Sequence, residues 1–242
     1  LSGKPSLYVL AGVNGAGKSS VGGAFLKQLN LPWYNPDSVA RALVGEMGMS
    51  QAEANGMAWQ EGMAQLEQAI QQKKRFAFET TLGGNTVRDK LRAACQTHSL
   101  RIWYCGLHSA ELHIARVQLR VACGGHNIPQ EKIIERWAKS RANLIALMPF
   151  LAELSVFDNS TSVKVGEPIP DPVRLLHCKD GRMLYPDTLT ALAQTPAWAE
   201  AIVEQALELA APDYKTVACL PQHSALSSVT TCTGERVSTS VK

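Results

Sequence analysis

The chain contains no apolar run approaching the roughly 18 residues that a membrane-spanning helix needs. Charged residues make up only 19% of its 242 residues and the net charge is +3, so composition announces no broad polyanion-binding surface and disfavours a nucleic-acid partner. Aromatics are sparse at 6%, and no aromatic-basic stripe suited to single-stranded nucleic acid is visible. The six cysteines, Cys95, Cys105, Cys123, Cys178, Cys219 and Cys232, form no C-x-x-C pair, which argues against a zinc site. Most lie in apolar surroundings and read as core thiols of a reducing, cytoplasmic compartment. The first residues, LSGKPSLYVLAG, begin without Met, and their short apolar run is unlike a secretory signal peptide. No internal repeat is present. Three nucleotide-protein signatures are also missing: the ABC-type signature, an Asn-Lys-x-Asp guanine reader, and an apolar strand ending in the Asp of a motor ATPase.

What is present is a glycine-rich loop directly behind a short apolar run. SLYVL is followed by AGVNGAGKSS, in which Gly12, Gly17, Lys18 and Ser19 have the spacing of a phosphate-binding P-loop. With average glycine usage near 7%, chance gives this spacing in roughly one chain in a hundred of this length, and the strand before it and helix after it add context. Glycines let successive backbone N–H groups face phosphate oxygens, and the helix that follows adds its positive end. Gly12, Asn14, Gly15, Ala16, Gly17, Lys18, Ser19 and Ser20 are therefore the expected nucleotide-binding residues. Lys18 is expected to reach the β- and γ-phosphates of ATP, and Ser19 to ligate Mg²⁺.

Strands are expected at 7–11, 32–37, 75–81, 100–107 and 154–160, alternating with helices at 18–29, 50–72, 110–121 and 129–148. Val21, Phe25 and Leu29 supply the helical spacing of the first of these. Ser50 and Glu53 form a capping box, and Ser109 and Pro129 suit helix starts. This is the pattern of an α/β protein with a doubly wound, mostly parallel five-stranded sheet. A hairpin over 173–185, turning at Asp180-Gly181, and a last helix from Thr195-Pro196 to about 211 complete a domain over 1–212. Residues 213–242 read as a loosely held tail.

Ligands of open α/β sheets bind beyond the carboxyl ends of the strands, so the residues there are the candidates. Asn35-Pro36-Asp37 follows the second strand. Asp37 there could take the proton of an acceptor hydroxyl, or cap a helix or turn. Glu79, Thr80 and Thr81 follow the third. Glu79 could bind Mg²⁺ or substrate, the hydroxyls could orient a polar substrate, and the competing reading is a strand-end cap. Phe76 and Phe78 read as core. Arg116 and Arg120, with His113, form one polar face opposite Leu112, Ala115 and Leu119. Arginines beside a glycine loop can neutralise a phosphoryl group in transfer, and the competing reading is a solvated helix face. CGGHNIP supplies a plausible lid loop in which His126 reads as structural. Arg136, Ser140 and Asn143 form a second polar face. Together these features favour a small kinase over a GTPase or ABC engine.

With these pieces placed, the chain resembles the zeta-toxin family of P-loop kinases, and more narrowly the branch labelled predicted ABC-type ATPase. The matching segments, in the family's order, are AGVNGAGKSS, YNPDSVA, FAFETTL, ARVQLRV, GGHNIP, IIERWAKSRANL and VFDNS, covering roughly residues 5–185. The resemblance implies an ATP- and Mg²⁺-dependent kinase acting on UDP-N-acetylglucosamine or a related UDP-sugar, with a separate helical antitoxin as partner. It implies phosphate and Mg²⁺ handling by Lys18 and Ser19, with Asp37 as the base on the sugar hydroxyl. Glu79 and Thr81 would contact the sugar nucleotide. Arg116 would lie near the transferred phosphate, with Arg120 or Arg136 as the second arginine. The best-known toxins carry Glu-Gly-Thr where this chain has Glu79-Thr80-Thr81. That departure bears on the substrate more than on the kinase chemistry. Other acceptors, such as a nucleoside, dinucleotide or antibiotic, and a non-catalytic ATP-binding switch are the rival readings.

Overall fold

Every residue of strand β1 (Ser6–Ala11) after Ser6 is buried, because the strand carries layers on both sides. Leu7, Val9 and Ala11 enter the larger core, whereas Tyr8 and Leu10 face a smaller one with Leu26 and Ala77. Tyr8 also stacks on Trp103, ring centroids 5.6 Å apart. The computed structural model describes residues 3–28, 30–161 and 170–217. The chain divides into two units, Leu1–Ala211 and Pro212–Lys242, and the elements described here belong to the first, apart from the end of the last helix.

Strand β1 pairs in parallel with β2 (Phe76–Thr80) on one side and with β3 (Ser99–Gly106) on the other, and β3 pairs in parallel with β4 (Glu153–Asp158). Strands β5 (Val173–Lys179) and β6 (Arg182–Tyr185) continue the sheet antiparallel, giving the order β2-β1-β3-β4-β5-β6. The chain leaves β1 toward β2 and then crosses to β3 on the far side. The carboxyl end of β1 is therefore the topological switch point, where ligands of open α/β sheets bind. The hairpin turns at Asp180 (φ 49°) and Gly181 (φ 78°), the two positive φ values of a type I′ turn.

The strand expected over 32–37 is reduced to one parallel bridge, Tyr34 to Phe78. Its far end is instead the start of helix α2 (Pro36–Met47), with Pro36 in the first turn and Asn35 as cap. The hairpin, expected as an addition, joins the sheet as its fifth and sixth strands. Helices α1 (Lys18–Gln28), α3 (Gln51–Gln71), α5 (Ala110–Ala122) and α6 (Gln130–Leu147) lie where the pattern placed them. The Ser50–Glu53 capping box is formed on both sides, and Ser109 caps α5. Leu29 lies outside the described residues. Helices α4 (Asn85–Ala94) and α7 (Leu189–Ala193) were not expected. The last helix, α8 (Glu200–Val217), begins after Pro196 rather than at it and runs past 211. The tail expectation falls mainly on 218–242, outside the described residues. Of the cysteines, Cys105 is buried and Cys95 and Cys178 are half-buried, but Cys123 is exposed, so it is not a core thiol. Cys219 and Cys232 lie outside the described residues. Among the described residues no helix is long and apolar enough to cross a membrane.

Candidate active site

The loop between β1 and α1 holds Gly12 at φ +139°, and Gly15 and Gly17 at φ +83°. Only glycine adopts such values without strain. Space imposes the same choice. A β-carbon would stand 2.1 Å from the Cys105 carbonyl oxygen at Gly12, and 2.4 Å from Nδ2 of Asn159 at Gly17.

Four neighbours pin the loop. The Cys105 thiol and the Asn159 amide each donate to the Ala16 carbonyl at 2.9 Å. Nδ1 of His113 lies 2.8 Å from the Asn14 carbonyl, and Arg136 donates to Oδ1 of Asn14 at 2.8 Å. Burial pushes His113 down to about 4, so the imidazole is neutral near pH 7. Since a carbonyl only accepts, Nδ1 carries the proton. Burial likewise pushes the Cys105 thiol up to about 12, which keeps it protonated and a donor.

Lys18 begins α1, and its buried ammonium donates to the Val13 carbonyl at 3.4 Å and lies 3.5 Å from Oε1 of Glu79. Oε2 of Glu79 accepts from the Ser19 hydroxyl at 2.8 Å and from the Asn35 amide at 3.0 Å. The Ser20 side chain lies outside the described residues. Asn35, rather than Asp37, is the helix cap: its Oδ1 accepts from the backbone N–H of Asp37 at 2.9 Å and of Ser38 at 3.2 Å. That leaves the Asp37 carboxylate clear of capping, with Nη1 of Arg120 3.7 Å away. Thr80 is the strand-end cap of its pair, because its hydroxyl accepts from the Leu82 N–H at 3.0 Å, and both Thr80 and Thr81 line the adjoining cavity.

At the base of the loop the Ser19 hydroxyl and the Glu79 carboxylate stand 2.8 Å apart. Hard oxygen donors of this kind, few in number and completed by phosphate oxygens, are what Mg²⁺ takes at nucleotide sites. Ser19 and Glu79 therefore fit the ion. Among the described residues no group of three or more His, Cys, Asp or Glu could hold a metal by itself.

The polar faces of α5 and α6 point inward. On α5, His113 is buried whereas Leu119 is 68% exposed and Ala115 is exposed, the reverse of a solvated polar face. Ser140 and Asn143 of α6 are buried too, bonded to the Tyr104 hydroxyl and the Leu82 carbonyl. Of the three arginines, Arg116 donates to the Thr161 carbonyl at 3.1 Å, and burial lowers its pKa. Arg120 donates to the His126 carbonyl at 3.4 Å, tying α5 to the GGHNIP loop, and its Nε is buried with no partner among the described residues. Arg136 holds Asn14.

A cavity of about 560 Å³ opens from the loop. It brings together Asn14, Lys18, Asn35, Asp37, Glu79, Thr80, Thr81 and Arg136, and it adds His126 and Trp59. Ser19, Arg116 and Arg120 are not in its lining. His126, expected to be structural, faces this cavity, and its pKa is lowered, chiefly by burial. Sequence reasoning missed Trp59 and the roles of His113 and Asn159 on the loop. Trp59 had a readable signal: it is a large apolar side chain lying off the buried stripe of Ala54, Ala58, Gly62, Leu66 and Ala69 on α3.

No family model matches the chain. An uncharacterized protein of Haemophilus influenzae (strain ATCC 51907 / DSM 11121 / KW20 / Rd) is 31% identical over 70 residues, 28% of this chain. The chain spans about half, 50%, of the length of that curated relative. Among solved structures, the AvrRxo1-ORF1:AvrRxo1-ORF2 complex with sulphate ions superposes with a TM-score of 0.57 at 16% identity, covering 88% of this chain and 76% of the other. The same complex with ATP gives 0.57 at 16% identity, over 84% and 64%. The PezAT chromosomal toxin-antitoxin system of Streptococcus pneumoniae gives 0.50 at 14% identity, over 86% and 88%. The chain has the α/β P-loop fold. Within that fold, the loop Gly12–Ser19 occupies the switch point, and the cavity holding Asp37 lies beside it.

Proposed function

We propose that this protein is an ATP- and Mg²⁺-dependent phosphotransferase acting on a hydroxyl of a small acceptor. One observation carries the reading: Asp37, a carboxylate with no capping duty, lines the same cavity as Lys18 of the P-loop. In the step, the acceptor O–H gives its proton to Asp37 as its oxygen bonds the γ-phosphorus. The bond from that phosphorus to the β,γ-bridging oxygen breaks, and ADP leaves. Lys18 and the arginines of α5 and α6 stabilise the charge on the transferring group. Mg²⁺, held through Ser19 and Glu79, would neutralise phosphate oxygens. Arg116 and Arg120 are assigned the role of phosphate contacts, with Arg136 on the substrate side because it lines the cavity.

The acceptor proposed is a UDP-activated amino sugar such as UDP-N-acetylglucosamine. The seven segments resembling zeta toxins support it, as does the polar lining of Asn35, Glu79 and Thr81. Binding of ATP in one complex of the same fold supports the donor. The toxin-antitoxin system and the two-chain complexes among the fold neighbours support a separate protein partner; we propose that it is a helical antitoxin and that this chain is a toxin of the cytoplasm.

The test is incubation with γ-labelled ATP, Mg²⁺ and a panel of UDP-sugars, nucleosides and dinucleotides, beside Lys18→Ala and Asp37→Asn. Label is expected on a UDP-amino sugar and is lost in both variants. ATP binding without a labelled acceptor, indifferent to Asp37→Asn, would overturn the reading in favour of a regulatory switch.

A further inference from the structure

Helix α3 lines part of the cavity, and two of its residues there are not accounted for by packing among the described residues. Trp59 is 47% exposed, belongs to no core cluster, and makes no hydrogen bond or ring contact with a described residue. A large aromatic side chain left open in a concave site is unused apolar surface. Gly56 lies one turn earlier, inside a 21-residue helix. Glycine weakens a helix interior relative to alanine, and it is kept where something must approach closely. At Gly62 the packing reason is visible, since a β-carbon there would meet the Tyr34 ring at 2.7 Å. At Gly56 a β-carbon would meet nothing within 4 Å, so no protein atom requires the glycine. Trp59 and Gly56 line the same cavity as Asp37 and Lys18. Asn55, beside Gly56, also lines it. Its Oδ1 accepts from Gln51 at 2.9 Å, and its NH₂ has no hydrogen-bond partner among the described residues.

We infer that Trp59 and Gly56 form a platform for a flat heteroaromatic ring of the acceptor, a nucleobase, whose edge Asn55 can hydrogen-bond. The inference rests on reading this cavity as the acceptor site. The indole face gives stacking energy with any base, the missing β-carbon leaves room beside it, and the Asn55 amide offers donors to a base edge. The acceptor class is then nucleotide-linked: a base-bearing molecule whose reactive hydroxyl reaches Asp37, rather than a free sugar or a base-free phosphate ester.

The experiment is equilibrium binding to the full chain with its P-loop saturated by AMP-PNP. The probes are UMP, CMP, AMP and GMP, with ribose 5-phosphate as the base-free control. At least one nucleotide is expected to bind more tightly than ribose 5-phosphate. Trp59→Ala should weaken that nucleotide about 10-fold or more, and Trp59→Tyr should hold it within about threefold. Gly56→Leu should weaken it as much as Trp59→Ala while the melting temperature stays level or rises, because leucine is the better helix former. AMP-PNP affinity should be the same in all three variants.

Nucleotides that bind no better than ribose 5-phosphate, or equally well to Trp59→Ala, would overturn the inference and leave Trp59 to a contact with a partner protein. Phosphoryl transfer to a base-free acceptor, unaffected by Trp59→Ala, would also overturn it while the kinase reading stands. Base-dependent binding at Trp59 without any transfer would uphold it while the kinase reading falls.

Discussion

The Ser19 hydroxyl donates to Oε2 of Glu79 across 2.8 Å, while Oε1 of the same carboxylate lies 3.5 Å from the Lys18 ammonium. One buried carboxylate thus touches both P-loop side chains assigned to phosphate and metal. Glu79→Gln keeps one oxygen to accept from Ser19 and Asn35, turns its NH₂ toward Lys18 and removes the charge. The Mg²⁺ concentration needed for half-maximal phosphoryl transfer should rise roughly 10–100-fold, the usual cost of disturbing a metal's supporting carboxylate. Mg²⁺-free ATP binding should be no weaker. A Mg²⁺ titration unchanged by the substitution would remove Glu79 from the metal site.

Arg120 and Asp37 face each other at 3.7 Å, each about one-third exposed (32% and 35%). An ion pair so open to solvent contributes at most about 1 kcal/mol. Arg120→Ala should therefore leave the urea midpoint nearly unchanged. If the guanidinium serves the transferring phosphoryl, kcat should fall roughly 10²–10³-fold. Arg120→Lys should recover little of this, because an ammonium lacks the planar fork. A loss of activity no larger than the loss of stability would make Arg120 a support of the GGHNIP loop only.

Much of this site was readable because its signals are local. Glycines at fixed spacing after an apolar run, Ser50 with Glu53, and Asp180 before Gly181 each act within a few residues, and each formed as read. What the pattern leaves open is what a segment packs against. His113, Ser140 and Asn143 read only as members of polar helix faces, with no partner indicated. They are buried because their partners are backbone carbonyls of the P-loop and the β2–α4 turn, or the Tyr104 hydroxyl. A helix laid against a glycine loop must bring hydrogen-bond donors, so its polar side is its inner side. Asn35 was unreadable as a cap because WYNP resembles a strand running into a turn. Its side chain does two jobs, closing α2 with Oδ1 and reaching Glu79 with its amide.

Two glycines separate strain from crowding. At Gly12 the backbone is at φ +139° and a β-carbon would strike the Cys105 carbonyl oxygen at 2.1 Å, against backbone that cannot swing aside. Gly124 is also at positive φ, +86°, but nothing lies within 4 Å of its β-position. Gly124→Ala should cost about 1–2 kcal/mol, the conformational term alone. Gly12→Ala should cost more than about 3 kcal/mol and abolish ATP binding. Equal losses in urea unfolding would show that the fit of Gly12 against β3 is not what demands glycine there.

His113 gives the fold a pH dependence with a definite sign. Its ordinary value is 6.5, and burial pushes it down to about 4 in the folded chain. Between these values the unfolded chain binds a proton that the folded chain refuses, so stability rises with pH. The contribution is fully present above pH 6.5 and is lost as pH falls toward 4. The whole window is worth about 3 kcal/mol, of which about 2 kcal/mol is lost by pH 5. His126, also lowered chiefly by burial, adds in the same direction. His113→Asn can keep a donor for the Asn14 carbonyl while removing the titration. The drop in unfolding free energy from pH 7 to pH 5 should therefore shrink by roughly 2 kcal/mol in the variant. An equally steep fall would mean that His113 takes its proton in the folded state at its ordinary value. The imidazolium would then still donate to Asn14 through Nδ1, but as a buried cation beside Lys18 and Arg116, an arrangement that both burial and like charge oppose.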